Sequence, residues 1–129
     1  MKANELITIW GAPEAPRLTP KQISIRLPIL VSAKIAALCD LYPRRTKTEI
    51  IGDLLTTVLD QVEADFPRIK GKFLEDESHP DTGMIYEDDG IRRRYLRLTE
   101  KYLRELEQEA GIKEPIEFNG RALIIEQVD

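Results

Sequence analysis

The chain has 129 residues, 42% of them hydrophobic and 33% charged, with a net charge of −4 and a single cysteine. That length suits one domain, or one small domain with an extension, and the acidic balance excludes a protein that coats nucleic acid indiscriminately. One cysteine cannot close an internal disulfide, and neither a signal peptide nor an apolar run near the ~18 residues of a membrane span is present, so a cytoplasmic chain with no membrane partner is expected.

Residues 1–20 read as an N-terminal arm. Leu6-Ile7-Thr8-Ile9-Trp10 has the make-up of a short strand, and Gly11, Pro13, Pro16 and Pro20 break any regular element after it. The arm is expected to pack as a strand or tail on the C-terminal part, with Trp10 buried; the alternative is a nucleic-acid backbone contact through Arg17 or Lys21.

The stretch 21–63 organises the chain. Gln22-Ile23-Ser24-Ile25-Arg26-Leu27-Pro28 alternates polar and apolar residues, so as a strand it puts Ile23, Ile25 and Leu27 on one face and Gln22, Ser24 and Arg26 on the other. After Pro28 the period changes to about 3.6, and Val31, Ile35 and Leu38 share the face of a helix that Tyr42-Pro43 stops. Cys39 follows Ile35 by one turn and is expected to be a small core residue. Thr46 and Glu49 have the spacing of a capping box, and Ile50, Ile51, Leu54, Leu55, Val58 and Val62 form the apolar stripe of a second helix running to about Glu63.

One strand and two helices cannot stand alone, because the strand has no partner for its backbone groups and roughly 40 residues bury too little apolar surface. Pairing with a second copy meets both needs. Two antiparallel strands form a ribbon, backed by four helices, that presents Gln22, Ser24 and Arg26 from each chain. A polar ribbon of that width fits a DNA major groove about 12 Å across.

At this point the stretch resembles the ribbon-helix-helix fold of the Arc, MetJ and CopG-type DNA-binding regulators. The run Q-I-S-I-R-L-P is similar to the end of the Arc strand, the likeness continues without a gap from Gln22 to about Val58, and R-R-T-K-T-E-I resembles the family's second-helix openings. The resemblance implies an intertwined homodimer in which Gln22, Ser24 and Arg26 read base edges and the helix opening at Thr46, Lys47 and Thr48 meets a phosphate. Chemistry agrees: arginine suits guanine, glutamine suits adenine, and free helix-terminal amides suit a phosphate oxygen. Arg44, Arg45 and Lys21 are further phosphate candidates. The chain departs from the family at the turn, where Tyr42-Pro43 replaces the common glycine.

Charge divides the chain. From Arg17 to Lys47 seven basic residues face one acid, Asp40, giving +6 and leaving −10 for the remainder of a chain whose net charge is −4. Within the acidic region 64–129, residues 64–90 read as a solvated linker, punctuated by Pro67, Gly71, Pro80 and Gly83. His79 has no regularly spaced partners, so neither metal nor cofactor is expected. A third helix is expected from about Gly90 to Ala110, with Asp88 or Asp89 as its cap, Ile91, Tyr95, Leu98, Tyr102 and Leu106 as its apolar stripe, and Gly111 as a left-handed stop. Arg92-Arg93-Arg94 is read as a solvated run, with phosphate contact as the alternative. Asn119-Gly120 between Ile116-Glu117-Phe118 and Ala122-Leu123-Ile124-Ile125 signals a hairpin.

These readings define an α+β chain, mostly helical with short strands, and a sequence-specific transcriptional regulator of double-stranded DNA, a repressor in the first instance. Dimers of dimers stay open, as does a protein partner for residues 64–129. The alternatives are the antitoxin of a toxin–antitoxin pair, whose C-terminal region binds the toxin, and an accessory DNA-binding factor for plasmid transfer or partition. No nucleophile–base pairing supports an enzyme.

Overall fold

Helix α1 spans Ile29–Leu41. It starts where Pro28, at φ −54° and ψ 144°, cannot continue a helix backwards, and the Pro28 carbonyl accepts the Ser32 N–H at 3.0 Å. It ends at Tyr42, as the Tyr42-Pro43 pair requires. This is a computed structural model, describing residues 5–6 and 18–127. The chain forms two units, Met1–Ala64 and Asp65–Asp129.

In the first unit, helix α2 spans Lys47–Asp65, two residues beyond the expected end. Its capping box is present: the Thr46 Oγ1 accepts the Glu49 N–H at 3.1 Å and the Glu49 Oε1 accepts the Thr46 N–H at 3.3 Å. Ile50 is completely buried and packs with Leu6, while Leu38, Cys39, Tyr42 and Leu54 surround the pair. Cys39 therefore has the core position expected of it.

Leu6 corrects the reading of the arm. It is helical rather than the start of a strand, and it packs in the core of the first unit rather than on the C-terminal part, because Ile50 needs an apolar cover. Residues 7–10, with Trp10, and Arg17 lie outside the described residues.

The second unit corrects the linker. Residues Lys70–Phe73 form strand β1 and Met84–Asp88 form β2, antiparallel to it, with Lys70 opposite Asp88, Phe73 opposite Tyr86 and an irregularity between. The acidic turn joining them is ordered by side-chain bonds. Ser78 Oγ donates to the Leu74 carbonyl at 2.6 Å and accepts the Ile85 N–H at 2.8 Å, and His79 and Gly83 exchange backbone bonds of 3.1 and 2.7 Å.

Helix α3 spans Ile91–Ala110, and Gly111 closes it at φ 69°, as expected. Its cap differs from expectation: Gly90 occupies that position with no side-chain bond to the helix. Asp88 is instead completely buried beneath it, its Oδ1 accepting the Gly90 N–H at 2.9 Å and the Ile69 N–H at 3.3 Å. Strand β3, Leu123–Glu126, completes a sheet of order β1-β2-β3, pairing antiparallel with β2 through Ile85 opposite Ile125 and Tyr86 opposite Ile124.

The expected hairpin around Asn119-Gly120 is thus replaced by a longer-range pairing. Ile116 cannot join it because its N–H donates to the Glu107 Oε2 at 2.6 Å and its carbonyl accepts from Arg104 at 3.1 Å, pinning the segment to α3. Asn119 only turns the chain, its Oδ1 accepting the Arg121 N–H at 3.0 Å.

Candidate nucleic-acid interface

Residues 22–28 form neither helix nor strand within the single chain, and every side chain from Lys21 to Leu30 is exposed. Gln22, Ser24 and Arg26 are therefore accessible. So are the apolar residues between them: Ile23 is 83% and Ile25 62% exposed. Thr19, just before, donates its hydroxyl to the Lys21 carbonyl at 2.9 Å, which turns the chain into this segment.

Ile23, Ile25 and Leu27 line an open groove with Ile35 of α1 and Ile51 of α2, and Ser24, Ser32 and Lys47 also border it. The fold thus brings Ser24, from the segment assigned to base reading, to the same groove as Lys47, from the helix opening assigned to phosphate. The aliphatic part of that lining has the character of a surface awaiting an apolar cover.

At the opening of α2, Arg44, Lys47 and Thr48 are exposed. The backbone there is prepared for an anion only in part, because the Glu49 carboxylate already accepts the Thr46 N–H. The Thr46 hydroxyl accepts from Glu49 but keeps its own proton to donate. Arg45 departs from its expected role. It is buried, and its Nη1 donates to the Glu49 Oε2 at 2.7 Å, so its guanidinium braces the turn rather than facing solvent as a phosphate ligand does. The Arg45 guanidinium and the Thr46 donors hold the Glu49 carboxyl below its ordinary range.

The arginine run of α3 is also largely committed. Arg92 donates to the Leu123 carbonyl at 3.4 Å and stands 3.5 Å from the buried Asp88, and Arg93 lies 3.3 Å from Asp89 and 3.8 Å from Glu87. Arg94 is exposed. His79 is engaged in its own turn, accepting the Asp81 N–H on Nδ1 at 3.1 Å. The burial of two acids, Asp88 and Glu107, escaped the sequence reading, which named Asp88 only as a helix cap; the signal for the first was an acid next to an Asp-Gly pair between a strand and a helix, and for the second nothing local.

Among the described residues no helix is long and apolar enough to cross a membrane. The chain matches no family model, no curated protein and no solved structure.

Proposed function

We propose that the chain is a homodimeric, sequence-specific DNA-binding regulator, a repressor, of the ribbon-helix-helix kind. Residues 22–28 of two copies pair as an antiparallel ribbon, which enters the major groove and presents Gln22, Ser24 and Arg26 to base edges. Arg44, Lys47, Thr48 and the Thr46 hydroxyl, with Lys21 nearby, meet the phosphates that fix register.

The observation that carries this reading is the pairing of an exposed, alternating segment with a groove, lined by Ile23, Ile25, Leu27, Ile35 and Ile51, that the described residues of the first unit leave open. Exposed β-branched residues at alternate positions, beside aliphatic helix faces, need an apolar cover and a backbone partner at once. A second copy supplies both. Leu55, Val58 and Leu59, half-exposed on α2, extend the same demand along the helix.

The test is selection of bound duplexes from a random DNA pool with the full chain and with its Gln22/Ser24/Arg26 triple-alanine variant. The expected outcome is a short two-fold symmetric motif for the wild type and none for the variant. Equal enrichment by both would remove base reading from this segment, and no enrichment by the wild type would remove sequence-specific DNA binding.

A further inference from the structure

Asn119 and Gly120 turn the chain between two fixed points, and the pair also carries chemistry that the turn does not use. Before it, the Ile116 N–H is held to α3 by the Glu107 carboxylate at 2.6 Å. After it, Arg121 donates from both Nη groups to Glu77, at 2.8 and 2.9 Å, and the carbonyl of buried Ala122 accepts the Asp88 N–H at 2.9 Å. Asn119 itself is exposed to solvent.

The carbonyl carbon of an asparagine side chain is an electrophile, and the nitrogen of the following peptide bond is a nucleophile beside it. Three features favour their meeting here. The Asn119 Oδ1 accepts the Arg121 N–H at 3.0 Å, which folds the side-chain amide back over the Asn119–Gly120 peptide bond. The same N–H donates to the oxygen on which negative charge develops when the side-chain carbon is attacked. Gly120 has no Cβ to obstruct the approach, and among the described residues its N–H donates to no other group.

We propose that Asn119-Gly120 is a site of spontaneous covalent modification, which turns Asn119 into aspartate and isoaspartate through a cyclic imide. The Gly120 nitrogen gives its proton to solvent and bonds to Asn119 Cγ; the Cγ–Nδ2 bond then breaks, and Nδ2 takes up a proton and leaves as ammonia. Water next hydrolyses the imide. Cleavage between Cγ and the Gly120 nitrogen leaves an ordinary main chain with an aspartate, whereas cleavage at the Asn119 main-chain carbonyl routes the chain through the side chain as isoaspartate. The balance is one water consumed and one ammonia released.

Both products add a negative charge, but only isoaspartate adds an atom to the main chain between Ile116 and Ala122. With both ends fixed, that extra atom is expected to loosen the start of β3. The site lies wholly within Asp65–Asp129 and stands without the DNA reading.

The experiment holds the full chain in mildly alkaline buffer, once folded and once in urea, and follows the peptide containing Asn119. Mass spectrometry reads the gain of one mass unit, and methylation by an isoaspartyl methyltransferase reads the isoaspartyl product. Conversion in the folded chain is expected at a rate equal to or above that in urea, with isoaspartate formed. A folded rate several-fold below the urea rate, or conversion without isoaspartate, would overturn the proposal. Melting then separates the inserted atom from the charge: the converted chain is expected to melt below the fresh one, and Asn119→Asp with it. Equal melting of converted and fresh chains would overturn the effect on β3.

Discussion

Thr46 and Glu49 exchange hydrogen bonds, the hydroxyl accepting one backbone N–H at 3.1 Å and the carboxylate the other at 3.3 Å, and Arg45 clamps the same carboxylate at 2.7 Å. The start of α2 is thereby fixed before any ligand arrives. Thr46→Ala removes one reciprocal acceptor and is expected to lower stability by about 1 kcal/mol, whereas Thr46→Ser retains most of it. Thermal unfolding of the two variants checks this; equal melting temperatures for Thr46→Ala and wild type would mean that the turn is held by Arg45 alone.

The same clamp separates the basic residues by role. Arg44 and Lys47 are exposed and Arg45 is buried. Arg44→Ala and Lys47→Ala are each expected to leave the melting temperature unchanged and to reduce the slope of log affinity against log salt by about 0.9 for each phosphate no longer neutralised. Arg45→Ala is expected to do the reverse, lowering the melting temperature first. Salt titrations of DNA binding, run beside melts, distinguish the two kinds of residue.

Arg26→Ala tests base reading one residue at a time. Under the proposed function, removing the guanidinium is expected to cost roughly 1–3 kcal/mol and to relax preference at one base pair in each half-site. Measured affinities for single-base operator variants decide it. A uniform loss across all sequences would place Arg26 on the phosphate backbone instead.

Local signals made the two long helices of the first unit readable, while its expected strand at 22–28 is not formed within the single chain. The Thr46–Glu49 spacing and the Tyr42-Pro43 stop act over a few residues, and each has its expected effect. The second unit is built from distant partners. Lys70-Gly71-Lys72-Phe73 does not alternate, and β2 ends in acids, so both looked solvated until Asp88 is seen buried between the Ile69 and Gly90 amides. Ile125 and Ile85 are paired in the sheet because β3 returns from far along the chain, and no turn signal encodes that. For the candidate site, the alternation of residues 22–28 is visible in sequence, while the burial of Arg45 depends on how the turn folds back on α2.

Gly83 tests the strand pair that replaced the linker. Its φ is +106°, and a Cβ there would stand 2.7 Å from the Glu126 carbonyl oxygen, a backbone atom of the neighbouring strand. Gly83→Ala therefore adds both conformational strain and a clash that no side-chain rotation relieves, and a loss of roughly 1–3 kcal/mol is expected. Denaturant unfolding of the full chain measures it. An alanine variant as stable as wild type would mean that the turn from His79 to Gly83 adopts another conformation.

Glu107 gives the second unit a defined response to acid. Its carboxylate accepts the Ile116 N–H at 2.6 Å and an Arg104 Nη1–H at 2.7 Å. The Ile116 amide first, and Arg104 second, hold its pKa below the ordinary 4.5. A carboxyl with a lower pKa in the folded than in the unfolded state binds fewer protons when folded. Its contribution is therefore complete above pH about 4.5 and is lost as pH falls through the folded value. Glu77, held down by Arg121, and Glu49, held down by Arg45, act in the same window and direction. Acidification below pH about 4.5 should destabilise the chain, and Glu107→Gln should remove one part of that dependence. Melting temperatures from pH 7 down to about 3 make the comparison, with the two proteins furthest apart at neutral pH and converging as the wild-type carboxyl takes up its proton. Parallel curves would show that Ile116 is held without the charge, leaving the acid response to the surface pairs.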